Sequence, residues 1–138
     1  MIIEPIMKIL QDANIGVIGT SIFGYYMPPD VNTGILVVSS LSGASISYET
    51  PNFRKDDRFQ IITRAPSSTA ALNLMRKVSI ALTLTKDQTI PSLQTGIPDL
   101  CFIYIRPAHD PIVFPRLQSG LTECSLNLSA TYSFRVYD

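Results

Sequence analysis

Between Asp57 and Leu84 the sequence reads DRFQIITRAPSSTAALNLMRKVSIALTL, and two hydrophobic periods meet inside it. Phe59, Ile61 and Thr63 alternate with Gln60, Ile62 and Arg64, a period of two that gives a strand one mainly apolar face and one mixed face. Pro66 stops that strand. Ser67 or Ser68 can accept a hydrogen bond from an amide two or three residues on and so cap a helix. Along that helix Ala71, Leu74, Met75, Val78, Ala81 and Leu82 recur at helical spacing, while Asn73, Arg76, Lys77 and Thr83 fall on the other side. A helix with one apolar stripe must bury it, and the nearest surface is the sheet to which its own preceding strand belongs.

The C-terminus supplies the longest strand signal. Leu126, Leu128, Ala130, Tyr132, Phe134 and Val136 face one way, and Asn127, Ser129, Thr131, Ser133, Arg135 and Tyr137 face the other. The alternation covers roughly 36 Å at about 3.3 Å per residue, and a domain of 138 residues has a radius of gyration of about 14 Å. One such strand therefore crosses the whole body. Its polar side requires an antiparallel sheet with one uncovered face, because a parallel, doubly covered strand is apolar on both sides. A row of Asn127, Ser129, Thr131 and Ser133, ending in Arg135, suits either water or the surface of a partner chain.

The remaining elements are shorter. Ile3, Ile6, Met7 and Leu10 follow helical spacing from Ile2 to Ala13, with Pro5 in the first turn and Asn14 to Gly16 offering a left-handed stop. Ile22 to Met27 reads as a strand ended by Pro28 and Pro29, and Ile35 to Ser39 as a second, bounded by turn residues. Ile46, Tyr48 and Thr50 alternate with Ser45, Ser47 and Glu49 as a return strand. Thr85 to Pro98 has no sustained period and reads as a long connection. Leu100 to Ile105 alternates as a strand, Phe102 and Tyr104 against Cys101, Ile103 and Ile105. Arg106 to Gln118, with three prolines around Ile112, Val113 and Phe114, suits an edge segment or a loop.

Residues 51 to 58, PNFRKDDR, carry five charges. Arg54, Lys55, Asp56, Asp57 and Arg58 read as a solvated loop or, with both signs present, as a loop that docks on another protein surface, with Arg64 on the strand beside it.

Charged residues make up 16% of the chain and the formal net charge is zero, so composition draws the protein neither to nucleic acid nor to an anionic membrane. The length suits one domain over residues 1 to 138. No apolar run reaches a membrane span, and the N-terminus has no signal-peptide pattern, which places the expected site of manufacture and assembly in the cytosol. Cys101 and Cys124 both fall in strands, and two buried thiols are expected rather than a disulfide. His109 stands alone beside Asp110. A metal site needs several ligands at matched spacing, so none is expected. A Cys–His nucleophile pair drawn from Cys101 or Cys124 with His109 lacks the helix N-terminus or elbow that lowers a thiol pKa. No glycine-rich phosphate loop follows a strand, and no cofactor is expected.

Read in order, the chain has an amphipathic first helix, an Ile-Phe-Gly-Tyr-x-Met-Pro stretch (Ile22 to Pro28), and a Val-rich strand ending near a glycine (Ile35 to Gly43). There follow a strand with Phe-Gln before Arg-Ala, a Ser-containing cap, an Ala-rich helix ending in Leu, and long closing strands. In this it resembles the bacteriophage tail terminator proteins, also described as minor capsid or tail completion proteins. The resemblance implies a structural virion protein and not an enzyme. Such proteins form a hexameric ring at the head-proximal end of the tail. The ring caps the tail tube protein, stops its polymerisation, and offers the surface for the head completion or neck proteins, with DNA only passing through its lumen.

The fold expected from periodicity is α+β: a single, mainly antiparallel β-sheet of about four to six strands with two α-helices packed on one face. Fold does not fix function. A small-molecule-binding α+β domain would show an apolar pocket and a monomer or dimer, and a cysteine hydrolase would show converging polar groups in that pocket.

Overall fold

The computed structural model describes residues 2–39, 45–46, 53–84, 87–91, 99–114 and 120–134. Two helices, α1 (Ile3–Asp12) and α2 (Ser68–Leu82), pack on one face of an eight-stranded sheet. The strands are β1 (Ile22–Gly24), β2 (Gly34–Ser39), β3 (Ser45–Ile46), β4 (Phe53–Ala65), β5 (Gln88–Ile90), β6 (Leu100–Pro107), β7 (Ile112–Val113) and β8 (Thr122–Phe134). The sheet order is β1-β2-β4-β8-β6-β5, with β3 added to β4 and β7 added to β8. Among the described residues β1 and β2 pair in parallel, with an isolated parallel bridge between Ile18 and Ile22, and the other strand pairs are antiparallel. The class is as expected, and the sheet is larger than four to six strands.

The expected central strand and helix form as read. Ser67 caps α2 by accepting from the Ala70 N–H at 3.2 Å, and Ala71, Met75, Val78 and Leu82 are fully buried. Leu74 and Ala81, also assigned to the stripe, sit half-buried at its margin. Buried Thr63 on β4 donates its hydroxyl to the Ala71 carbonyl at 3.0 Å, so a polar side chain fastens strand to helix inside the core. Such a bond contributes about 1 kcal/mol, and its loss would leave a buried polar group unsatisfied.

α1 buries Ile3, Ile6, Met7, Ile9 and Leu10, and Asn14 adopts φ 61° at its end, the left-handed stop that its side chain tolerates. This helix touches β1 and β2 at one edge of the sheet and β5 at the other. Opposite edges can meet one helix only if the sheet curls around it, which is why the structure departs from a flat layer. Gly24 permits the approach: a Cβ there would lie 3.0 Å from the Met7 sulfur and 3.1 Å from a methyl of Ile3. Phe59, Ile61, Leu126, Leu128, Ala130, Tyr132, Phe102 and Ile105 complete one continuous core.

Four sequence expectations change. Residues 53 to 58 are not a loop but the first half of β4, because β8 is long enough to need a partner there and Phe53 and Arg54 pair with Ser133 and Tyr132. The strand at Ile22 stops at Gly24 rather than Met27, since Tyr25 turns to φ 67°. The connection after α2 contains β5, which pairs with Leu100 to Phe102. In β6 a register shift between Phe102 and Tyr104 breaks the alternation, so Phe102 and Ile105 are buried and Tyr104 is not. Of the expected return strand Ser45–Ile46 form β3, which pairs with Lys55 and Arg54 of β4 instead of returning along β2; residues 47 to 52 lie outside the described ones, as do Arg135 and Val136.

Candidate functional site

The sheet face turned away from the helices gathers four of the sequence-selected residues. Asp56 and Arg58 from β4 meet Asn127 and Ser129 from β8 because the strands pair Arg58 with Ser129 and Gln60 with Asn127. Together with Ser39, Gln60 and Ala108 they line an open depression of about 730 Å³. One acid, one base and several amide or hydroxyl groups make it polar without a dominant charge.

A second irregularity divides the charged segment. Between Arg54 and Asp57 the β4–β8 register shifts, and Asp56 takes φ 52° there. This bulge puts two residues of β4 opposite one of β8, so charges adjacent in sequence leave on different faces. Asp57 turns toward the helix side, where the Tyr132 hydroxyl donates to its carboxylate at 2.6 Å. Burial, followed by the bond and the charge of Asp57, raises the Tyr132 phenol well above its ordinary value, and Arg54 opposes this. Asp56 faces the other way: its N–H donates to the Thr131 hydroxyl at 3.4 Å, and the Tyr104 hydroxyl reaches its carboxylate at 3.5 Å. The Arg106 guanidinium covers the Tyr104 ring at 4.6 Å. Lys55 is exposed, Thr131 is buried, and Ser133 is half-buried opposite Phe53 and Cys101.

Arg64 is apart from this cluster. It donates to the Pro28 carbonyl at 3.0 Å and the Val31 carbonyl at 3.4 Å, and its other terminal nitrogen pairs with Glu123 at 3.3 Å. With side-chain exposures of 14% and 21% the pair is largely covered, and it ties the loop after β1 to the centre of the sheet.

Both cysteines are free thiols. Cys124 is fully buried, and burial pushes its thiol up despite the Thr63 hydroxyl beside it, the reverse of an activated nucleophile. Cys101 is half-buried rather than fully buried. His109 is engaged on both ring nitrogens: Nδ1 with the Asp110 carbonyl at 2.6 Å, and Nε2 accepting from the Asn127 N–H at 3.2 Å. Cys124, beside Thr63, and His109, bonded to Asp110 and Asn127, thus have separate structural partners.

Sequence reasoning missed two exposed apolar groups. Tyr25 and Tyr26 follow β1 with their rings in solvent, and Ile112, Val113 and Phe114 form an exposed apolar run on and after β7. A signal existed for the second, since PIVFP is apolar between prolines. For the first it did not, because Tyr25 and Tyr26 fitted the alternation of a strand.

No individual curated protein matches the chain. A family model described as bacteriophage tail terminator protein matches residues 9–134, from inside α1 to the end of β8. That span includes the whole sheet and both faces described above, and the chain belongs to the bacteriophage tail terminator family.

Proposed function

We propose that this structural tail protein closes into a hexameric ring on the last ring of the tail tube, at the head-proximal end of the virion. There it ends tube polymerisation and presents the surface to which head completion or neck proteins attach, with DNA crossing only its lumen. The family match over residues 9–134 carries this reading. The composition agrees with it: zero net charge suits protein contacts more than a grip on a polyanion. Tube subunits add head to tail without limit, so a cap must copy their contact on one face and lack it on the other. The curled sheet offers such an asymmetry, with a helix-covered side and a polar, open side bearing Asp56, Arg58, Asn127 and Ser129.

Assembly in the host cytosol follows from a partner made there. Among the described residues no helix is long and apolar enough to cross a membrane. The test is a phage lacking this chain, examined by electron microscopy. The expected result is tubes of irregular, excessive length that carry no heads, restored to uniform length by supplying the protein. Uniform, head-joined tails without it would overturn the reading, and a ring of other symmetry in the assembled tail would overturn the hexamer.

A further inference from the structure

Two uncharged, exposed apolar patches flank the sheet. On one side lie Tyr25 and Tyr26 after β1, exposed by 67% and 66%, with Val17, exposed by 56%, at the other end of that strand, where its carbonyl accepts from the Ile22 N–H; on the other side lie Ile112, Val113 and Phe114, exposed by 50%, 41% and 40%. The register places them almost level. Gly24 pairs with Val37, Val37 with Ile61, and Ile61 with Leu126, while Ile112 pairs with Ser125. From Gly24 to Ile112 the path crosses four strand spacings, roughly 19 Å at about 4.8 Å each, with a one-residue step along β8.

Each patch has a feature that solvent alone does not explain. The Phe114 N–H donates inward to the Glu123 carbonyl at 2.9 Å, so by alternation the N–H and carbonyl of Val113 point outward, and no described strand pairs with that side. Edge strands are ordinarily protected by charge or twist, whereas three consecutive apolar residues invite pairing. On the other flank Tyr25 holds φ 67°, a left-handed conformation that costs a bulky side chain about 1 to 2 kcal/mol. It points a large ring outward, and strain of this kind persists where a function uses it.

We propose that these patches are the two halves of one seam: Val17, Tyr25 and Tyr26 of one copy cover Ile112, Val113 and Phe114 of the next. The occupant is a second copy because the patches match in character and are both uncharged. They also lie at one level on opposite flanks, so a sideways step joins them and leaves a fresh patch at each end. That is a heterologous contact, which closes when the rotation allows, and the sheet curl supplies rotation. Covering the exposed parts of these six side chains removes on the order of 600 Å² from water, a suitable apolar core for a standard interface of about 1,600 Å² with its polar rim. The inference rests on the ring reading above and names its seam.

The test is a disulfide across the seam in a Cys101→Ser background, with Tyr26→Cys and Val113→Cys in one chain, oxidised as concentrated purified protein. The expected result is a ladder of dimer, trimer and higher species that collapses on reduction, with either single variant staying monomeric. A double variant that stays monomeric, or single variants that dimerise equally well, would overturn the seam. The same chain supplied to the phage lacking it separates the two ideas. A ladder with tubes still overlong rejects the terminator reading and keeps the seam, whereas uniform tails without a ladder reject the seam alone.

Discussion

The backbone of Asn127 is bonded through both its groups to two consecutive residues of one turn: its N–H donates to His109 Nε2 at 3.2 Å, and its carbonyl accepts from the Ala108 N–H at 2.8 Å. The pairing of β6 with β8 ends at Leu128, opposite Pro107, and that of β7 begins at Ser125, opposite Ile112. Asn127 lies in the gap, where the edge of a central strand would otherwise have no partner. The imidazole stands in for a strand carbonyl, and its Nδ1–H, donated to Asp110 at 2.6 Å, fixes the tautomer that leaves Nε2 an acceptor. The lone histidine of the chain is thus a splice between two strands.

His109→Ala should cost about 1 kcal/mol, the usual net worth of one such bond. It should be read as a shift in the urea midpoint at constant slope. His109→Gln, which can return a carbonyl oxygen to the same place, should recover part of the loss. Because the turn sets where β7 begins, the alanine variant should also weaken the seam at Val113. An unchanged midpoint would mean that the Ala108 bond holds the turn without help.

Tyr132 gives a dependence on pH. Burial first, then the bond and charge of Asp57, hold its phenol above the ordinary value of 10.0. The folded value exceeds the unfolded one, so this contribution is complete below about pH 10 and is lost as the pH rises toward the folded value. Among six tyrosines, this one should resist ionisation in a tyrosinate absorbance titration until the protein unfolds. Tyr132→Phe should lower stability by about 1 to 2 kcal/mol by removing the donor to a partly exposed carboxylate, and should flatten the alkaline decline. A Tyr132 phenol that ionises while the protein is still folded would contradict this.

The bulge at Asp56 sorts the charged residues into two kinds of variant. Lys55 and Arg58 are exposed, and reversing them to Glu should leave stability within about 0.5 kcal/mol. Arg54 pairs opposite Tyr132, near Asp57, so Arg54→Glu sets two carboxylates against one phenol and should destabilise the fold measurably. If Lys55→Glu with Arg58→Glu also leaves tail length and head joining normal, the depression beside Asn127 contacts no partner.

What the sequence made legible was periodic. The strand from Phe59 to Ala65, the Ser67 cap, the stripe through Met75 and Val78, and the alternation from Leu126 to Tyr132 each follow from one local rule, and each is present. What escaped depends on pairing at a distance. Residues 53 to 58 carry the charge density of a loop, yet β8 requires a neighbour along its whole length, and tertiary pairing overrides composition. The bulges at Asp56 and near Ile103 re-aim side chains by one residue without any Gly or Pro to mark them. The candidate site was legible to the same degree: Asn127 and Ser129 were placed by alternation. Arg64 reads from sequence as a companion of the charged segment, because nothing local announces the Pro28 and Val31 carbonyls.

Tyr25→Gly should keep stability unchanged or raise it by up to about 1 kcal/mol, since glycine adopts φ 67° without steric cost. Loss of the ring should at the same time abolish most of the cross-linked ladder when built into the Tyr26→Cys, Val113→Cys chain. A destabilised protein would show that the ring packs within its own subunit, not against the next.

Arg64 links the fold to that same flank. Its guanidinium reaches two carbonyls of the loop after β1 and the Glu123 carboxylate together, a fork that a lysine ammonium, with one point of charge, does not reproduce. Arg64→Lys keeps the charge beside Glu123 but releases Pro28 or Val31, so it should cost about 1 to 2 kcal/mol. Arg64→Ala leaves Glu123 largely covered and unpaired, and should cost about 3 kcal/mol or more. The lysine variant is the informative one. It should remain folded by circular dichroism while hydrogen exchange quickens selectively between Tyr25 and Val31, and the ladder through residue 26 should fall in step. If exchange in that loop is unchanged, Arg64 serves only to neutralise Glu123, and the loop with Tyr25 and Tyr26 is held by the Tyr25 N–H bond to Val37 and its neighbours instead.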